Sequence, residues 1–179
     1  MIRRYSVFTI LFVCSGNTCR SPIAEALMRQ AVYDEDLASK IHVMSAGLAA
    51  NAGDKISEPA RQLLSCEGMD MKKHAAVNLN TEIIDLADLI LVMTEKLKEQ
   101  LLVRFPFAGQ KTHLLKDYAG IAQYGDIEDP YGLSLREYRV ILEDIRCCIQ
   151  KITNKLEGGQ INEGGFGQRS CRIQSEGTD

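Results

Sequence analysis

The chain has 179 residues, 45% of them apolar, and a formal net charge of −3, enough for one domain with a substantial core and no basic field for nucleic acid. Its six cysteines follow no secretory leader, since Met1-Ile2-Arg3-Arg4-Tyr5-Ser6 leads straight into an apolar run, so a reducing cytoplasm is expected rather than a disulfide-stapled scaffold. No stretch is apolar for long enough to span a membrane, and no membrane partner is expected.

In chain order, the first element is an apolar run over 7–13, the pattern of a strand buried on both faces of a parallel sheet. The loop Cys14-Ser15-Gly16-Asn17-Thr18-Cys19-Arg20-Ser21 follows, and then a helical pattern over 22–36 with Ser21 as its expected N-cap and Pro22 at its first position. A loop between strand and helix can wrap its backbone N–H groups around an oxyanion at the helix N-terminus. Gly16 and Asn17 are the residue types that tolerate the positive φ such a turn requires. Cys14, at the carboxyl end of the strand, is then a sulfur nucleophile aimed at whatever the loop holds. Arg20 supplies a bidentate fork for two phosphoryl oxygens, which lysine would not. Ser21 brings a hydroxyl that could hydrogen-bond the Cys14 sulfur and ease its departure from a covalent intermediate.

Further strand-like runs fall at 41–44, 88–93 and 112–115, between helix-like segments near 57–67, 80–87 and 94–104. Such alternation predicts an α/β domain of three layers, with a parallel sheet covered by helices on both faces. A long closing helix is predicted from Ser134, with Glu137 as capping-box partner, to Leu156. After 156 the composition turns to Gly, Gln, Ser and charge, so the domain is placed at 1–156 and 157–179 reads as a disordered tail.

Asp129 precedes Pro130, which restricts it to an extended backbone and helps aim its carboxyl group. Phosphoryl transfer to a thiol needs such a group: an acid protonates the leaving atom, and its carboxylate then activates water. Neighbouring Asp126 and Glu128 read as solvated loop charges. His42, His74 and His113 are too scattered for a metal-ligand pair, and the cysteines lack zinc-ribbon spacing, so neither metal nor cofactor is expected.

Val13 through Glu25 matches without a gap the Val-Cys-x-Gly-Asn-x-Cys-Arg-Ser-Pro-x-Ala-Glu signature of the low-molecular-weight protein tyrosine phosphatases, which the chain resembles over about residues 7 to 156. Asp129-Pro130-Tyr131-Gly132 is similar to that family's acid loop, and smaller echoes fall at Ser45-Ala46-Gly47 and Leu91-Val92-Met93-Thr94. The resemblance implies a four-stranded parallel sheet in the order 2-1-3-4 with the phosphate-binding loop after the first strand. It implies Cys14 as nucleophile, Arg20 as transition-state ligand and Asp129 as general acid. Ser15, Gly16, Asn17, Thr18, Cys19, Ser21 and Tyr131 would surround the substrate. Cys19, shared with the family, would either shape the loop or resolve an oxidised Cys14 as a disulfide.

Two departures bear on the substrate. Thr18 stands where phosphotyrosine-specific members commonly hold Ile, and Gly132 replaces a second aromatic after Tyr131. Both resemble the bacterial protein arginine phosphatase branch, and a hydroxyl at the pocket mouth suits a guanidino N–H better than a phenol ring. The expected activity is hydrolysis of phosphoarginine or phosphotyrosine in proteins through a phosphocysteine, with phosphoarginine favoured. The expected partners are phosphoprotein substrates, and inorganic phosphate as product and inhibitor. An arsenate reductase of the same fold and a non-catalytic phosphoprotein-binding module are the alternatives.

Overall fold

A computed structural model describes residues 7–121 and 125–157. Strands β1 (Phe8–Cys14), β2 (Ile41–Gly47), β3 (Leu89–Val92) and β4 (Thr112–Leu114) form a parallel sheet in the order β2-β1-β3-β4. Helices α1 (Arg20–Asp34), α2 (Glu58–Cys66), α3 (Thr81–Leu86), α4 (Glu95–Arg104), α5 (Leu115–Ala119) and α6 (Leu135–Glu157) cover it. The α/β class is the one read from the alternation of elements, and the strand order 2-1-3-4 with the loop after the first strand is the one the family resemblance implies.

Every residue of β1 is buried, because the strand is central and helices pack on both sides. Its side chains alternate between two cores. Phe8, Ile10, Phe12 and Cys14 face the side of Ile23, Leu27 and Met28 of α1 and Ile141, Ile145 and Ile149 of α6. Leu11 and Val13 face Ile84 of α3 and Leu101 of α4. Burying so many full aliphatic side chains, at about 1.5–3 kcal/mol each, holds β1 rigidly and fixes where its carboxyl end opens into the loop. In register, Cys14 lies beside Gly47 of β2, and Val13 lies between Ala46 of β2 and Val92 of β3.

Three local expectations are corrected. Helix α1 begins at Arg20 with Cys19 as its cap residue, and Ser21 lies inside the first turn because its hydroxyl is committed to the cysteine loop. The run expected as a strand to 115 turns at Leu115 into the short helix α5, closed by Gly120 at φ 81°, a left-handed position that favours glycine. A 3-10 turn, Pro106–Lys111, precedes β4, where no element was expected. At the start of α6, Ser134 donates from both its N–H and its hydroxyl to Glu137 Oε2 at 2.8 Å, the predicted capping partners. These bonds hold the Glu137 carboxyl below the usual carboxylate range. Helix α6 runs to Glu157; the predicted tail beyond it, including Cys171, lies outside the described residues. Among those residues, no helix is long and apolar enough to cross a membrane.

Candidate active site

Cys14 ends β1 as a buried side chain with two polar neighbours on its sulfur. The Asn17 N–H donates to Sγ at 3.2 Å, and Ser21 Oγ lies 3.0 Å away. Asn17 makes this possible by its backbone: its φ is 54°, in the left-handed region that asparagine tolerates better than most residues. Gly16, also expected to supply a positive φ, is not among the positive-φ glycines of the described residues.

Asn17 is fully buried and every polar atom of its side chain is used. Nδ2 donates to Ser21 Oγ at 2.9 Å and Ser45 Oγ at 2.8 Å, while Oδ1 accepts from Val77 N at 2.8 Å. His74 Nε2 lies 2.8 Å from the Asn17 carbonyl oxygen. Ser45 in turn donates to Glu25 Oε2, whose other oxygen pairs with Arg29 at 2.7 Å. This chain of bonds orients the Ser21 hydroxyl: having accepted from Asn17, it has its own proton left to give, and the Cys14 sulfur is nearer than the Ala46 carbonyl at 3.4 Å.

Gly47 sits under the same loop. A Cβ there would lie 2.6 Å from the Ser15 carbonyl and 2.8 Å from Asn17 N, so the loop can approach β2 this closely only over glycine.

Arg20, the first residue of α1, is 3% exposed. Its Nη1 donates to the Ile127 carbonyl at 3.0 Å and its Nη2 is ion-paired with Asp129 Oδ2. Its Nε is buried without a hydrogen-bond partner among the described residues. The loop carrying Asp129 is tied to the sheet by Ile127 N, which donates to Met93 O at 2.8 Å at the end of β3. Asp126, expected to be a solvated charge, instead accepts from the first N–H of α4, Glu95 N, at 2.8 Å and fixes the same loop. Tyr131 N donates to Asp129 Oδ1 at 3.2 Å, and the Tyr131 ring stands 77% exposed at the rim.

Cys14, Ser15, Gly16, Thr18, Cys19, Arg20, Asp129 and Tyr131 line one cleft of about 320 Å³. Asn17 and Ser21 lie behind its wall, as supports for the sulfur. Ala49, Asn51 and Asp54, from the segment after β2, also line the cleft and were not anticipated from sequence. Cys19 Sγ donates to Ser57 Oγ at 3.3 Å and shares a hydrogen bond with Tyr138 OH at 3.1 Å, with Thr18 Oγ1 at 3.7 Å. Burial, and then the bond to Cys19, push the Tyr138 phenol up to about 12. Ser57, Tyr138, Ser45, Glu25 and His74 were likewise not anticipated as parts of the site. The signals available were the echo at Ser45-Ala46-Gly47 and the place of Glu25 at the end of the signature over 13–25.

A cysteine sulfur, a buried guanidinium and a carboxyl group on one small cleft form a set suited to phosphoryl transfer through a thiol. The family model for low molecular weight phosphotyrosine protein phosphatase matches residues 9–160. A protein-arginine-phosphatase of Geobacillus stearothermophilus is 36% identical over 153 residues, 86% of this chain and 99% of the relative. A probable low molecular weight protein-tyrosine-phosphatase, EpsP of Ralstonia solanacearum, is 36% identical over 143 residues, 80% of this chain and 89% of the relative. A solved structure of the YwlE arginine phosphatase, a cysteine-to-serine mutant with a phosphorylated active-site serine, superposes with TM-score 0.79 at 31% identity, covering 84% of this chain and 96% of its own. The chain belongs to the low molecular weight phosphotyrosine protein phosphatase family.

Proposed function

We propose that the protein hydrolyses phosphoarginine in protein substrates, with Cys14 as nucleophile, Arg20 as phosphoryl ligand and Asp129 as general acid and base. The observation that carries this reading is the Cys14 sulfur, hydrogen-bonded by Asn17 and Ser21, on the same cleft as the Arg20–Asp129 pair.

In the first step the Cys14 thiolate attacks phosphorus and the P–N bond breaks. Asp129 gives its proton to the departing nitrogen, so arginine leaves as a guanidinium ion. Phosphoryl oxygens take the Arg20 donors, the buried Nε among them, as Asp129 releases Nη2. In the second step the Asp129 carboxylate takes a proton from water, the water oxygen attacks phosphorus, and the S–P bond breaks. The Ser21 hydroxyl stabilises the returning thiolate. Inorganic phosphate leaves as the product and, at high concentration, occupies the same donors as an inhibitor. A thiol nucleophile of this kind suits a reducing, cytoplasmic setting.

Phosphoarginine is favoured over phosphotyrosine by Thr18 on the cleft wall and by the acid loop, where Gly132 adopts φ 80° and a second aromatic would be strained. The arginine phosphatase activity named for the Geobacillus relative points the same way. Initial hydrolysis rates on matched phosphoarginine and phosphotyrosine peptides test the reading, with C14S protein as the blank. A rate above the blank that is higher on phosphoarginine supports it; activity confined to phosphotyrosine overturns it.

A further inference from the structure

Phosphoarginine differs from phosphotyrosine in charge as well as shape: beside the phosphoryl anion it carries a guanidinium cation, where phosphotyrosine carries a neutral ring. The cleft has two carboxylate side chains on its wall, Asp129 and Asp54. Asp129 is ion-paired with Arg20, and as the general acid it must enter the first step protonated and uncharged. Paired with Arg20 before binding and protonated at the attack, it has no free negative charge to offer a guanidinium. Asp54 remains.

The backbone holds Asp54 in place. Gly53 N donates to the Ala76 carbonyl at 2.8 Å and Ala76 N donates to the Asp54 carbonyl at 2.7 Å, clamping the residue against the 76–78 segment. Asp54 N donates to Asn51 O at 3.1 Å, closing a turn in which Gly53 takes φ 92°. The side chain is exposed and, among the described residues, has no ion pair. A carboxylate carried by this anchored backbone on the wall of a phosphate-binding cleft opposes the anion the cleft must admit, so its presence is favourable only for a substrate that brings a cation with it.

Resting on the phosphoarginine reading above, we infer that Asp54 is a specificity-determining residue whose carboxylate pairs with the guanidinium of the substrate. Selection then comes from both ends of the substrate: Arg20 reads the phosphoryl group and Asp54 reads the positive group behind it, with the exposed Tyr131 ring available to stack on the guanidinium plane.

The test is the ratio of kcat/KM on phosphoarginine and phosphotyrosine peptides of identical flanking sequence, for wild type, D54N and D54E, at low and high salt. D54N is expected to lose about five-fold on phosphoarginine, mainly through KM, which is the size of one solvent-facing ion pair. Its rate on phosphotyrosine should stay level or rise, D54E should keep most of the wild-type preference, and salt should narrow the gap between wild type and D54N. An unchanged ratio in D54N, or an equal loss on both substrates, overturns the assignment while leaving the phosphoarginine reading intact. A wild type inactive on phosphoarginine overturns that reading and this inference together.

Discussion

Arg20 and Asp129 stand 109 positions apart in the chain and are ion-paired, the guanidinium 3% exposed and the carboxylate 48% exposed. One donor of the group proposed to grip phosphate is therefore engaged by the group proposed to act as acid. Anion binding and the Asp129 carboxylate compete for Nη2.

That competition gives D129N two opposite effects. Turnover on a poor leaving group should fall by about 10²–10⁴-fold, as for loss of a general acid. Inorganic phosphate should bind more tightly than to wild type, because the carboxylate that competes for Arg20 is gone. Inhibition constants for phosphate in both proteins check this, and weaker phosphate binding by D129N would contradict the competition.

At the floor of the cleft, C14S should abolish turnover while phosphate affinity persists, since Arg20 and the loop backbone remain. R20K should lose both, with turnover down on the order of 10²-fold or more, because an ammonium ion replaces a buried fork by a point charge. Calorimetric phosphate titration separates the two variants. A C14S protein with near-normal turnover would refute the mechanism.

Asn17 carries two loads that substitutions can separate. N17G keeps a residue at ease with φ 54° but removes the side-chain bonds to Ser21, Ser45 and Val77. N17A removes the same bonds and adds left-handed strain of about 1 kcal/mol. Both should be destabilised, by about 2 kcal/mol or more for the lost buried bonds, and N17A should unfold at lower denaturant than N17G. Equal midpoints would show that the backbone conformation there costs nothing.

Thr18 is the smallest change with a predicted switch in substrate. T18I replaces a hydroxyl on the cleft wall by a branched apolar group and should shift the phosphoarginine to phosphotyrosine ratio toward phosphotyrosine by about ten-fold. The matched peptides measure it directly, and an unchanged ratio would remove Thr18 from the account of specificity.

Tyr138 offers a pH signature. Its phenol is held up to about 12, against 10.0 ordinarily, by burial and by the bond to Cys19. Between those values the folded state binds a proton that the unfolded chain has released. The stability this supplies is complete below pH 10 and is lost as pH rises toward 12. Burial raises the Tyr118 phenol as well. Ultraviolet titration of wild type should therefore show Tyr138 ionising late alongside Tyr118, and Y138F should lose one of these late phenols and depend less on pH in its stability across that window.

Much of this site could be read from the sequence because it is local: Cys14 through Ser21 is one continuous loop, and the apolar run before it announces a central strand. The parts that could not be read arrive through the sheet. Gly47 meets Ser15 and Asn17 because Cys14 and Gly47 are in register, and Ser45 reaches Asn17 from the same strand. Asp54 lines the cleft and buried Tyr138 backs Cys19, each from a separate segment with no local pattern to mark it. The start of α1 was misplaced for a chemical reason: Ser21 before Pro22 has the form of a cap, but its hydroxyl serves the sulfur. Helix α5 escaped notice because its five residues begin with Leu115, which extends the apolar run of β4.

The tethering of Asp129 through Ile127 to the end of β3 and through Asp126 to the start of α4 puts the acid on a mount separate from the β1–α1 loop. The groups proposed for phosphoryl capture and for leaving-group chemistry thus sit on two parts of the fold, and among the described residues the Arg20 guanidinium is hydrogen-bonded to both Ile127 and Asp129 across them. A lineage can retailor what departs from phosphorus by altering residues 128–133 and the rim near Asp54, without disturbing the cradle in which phosphorus is held.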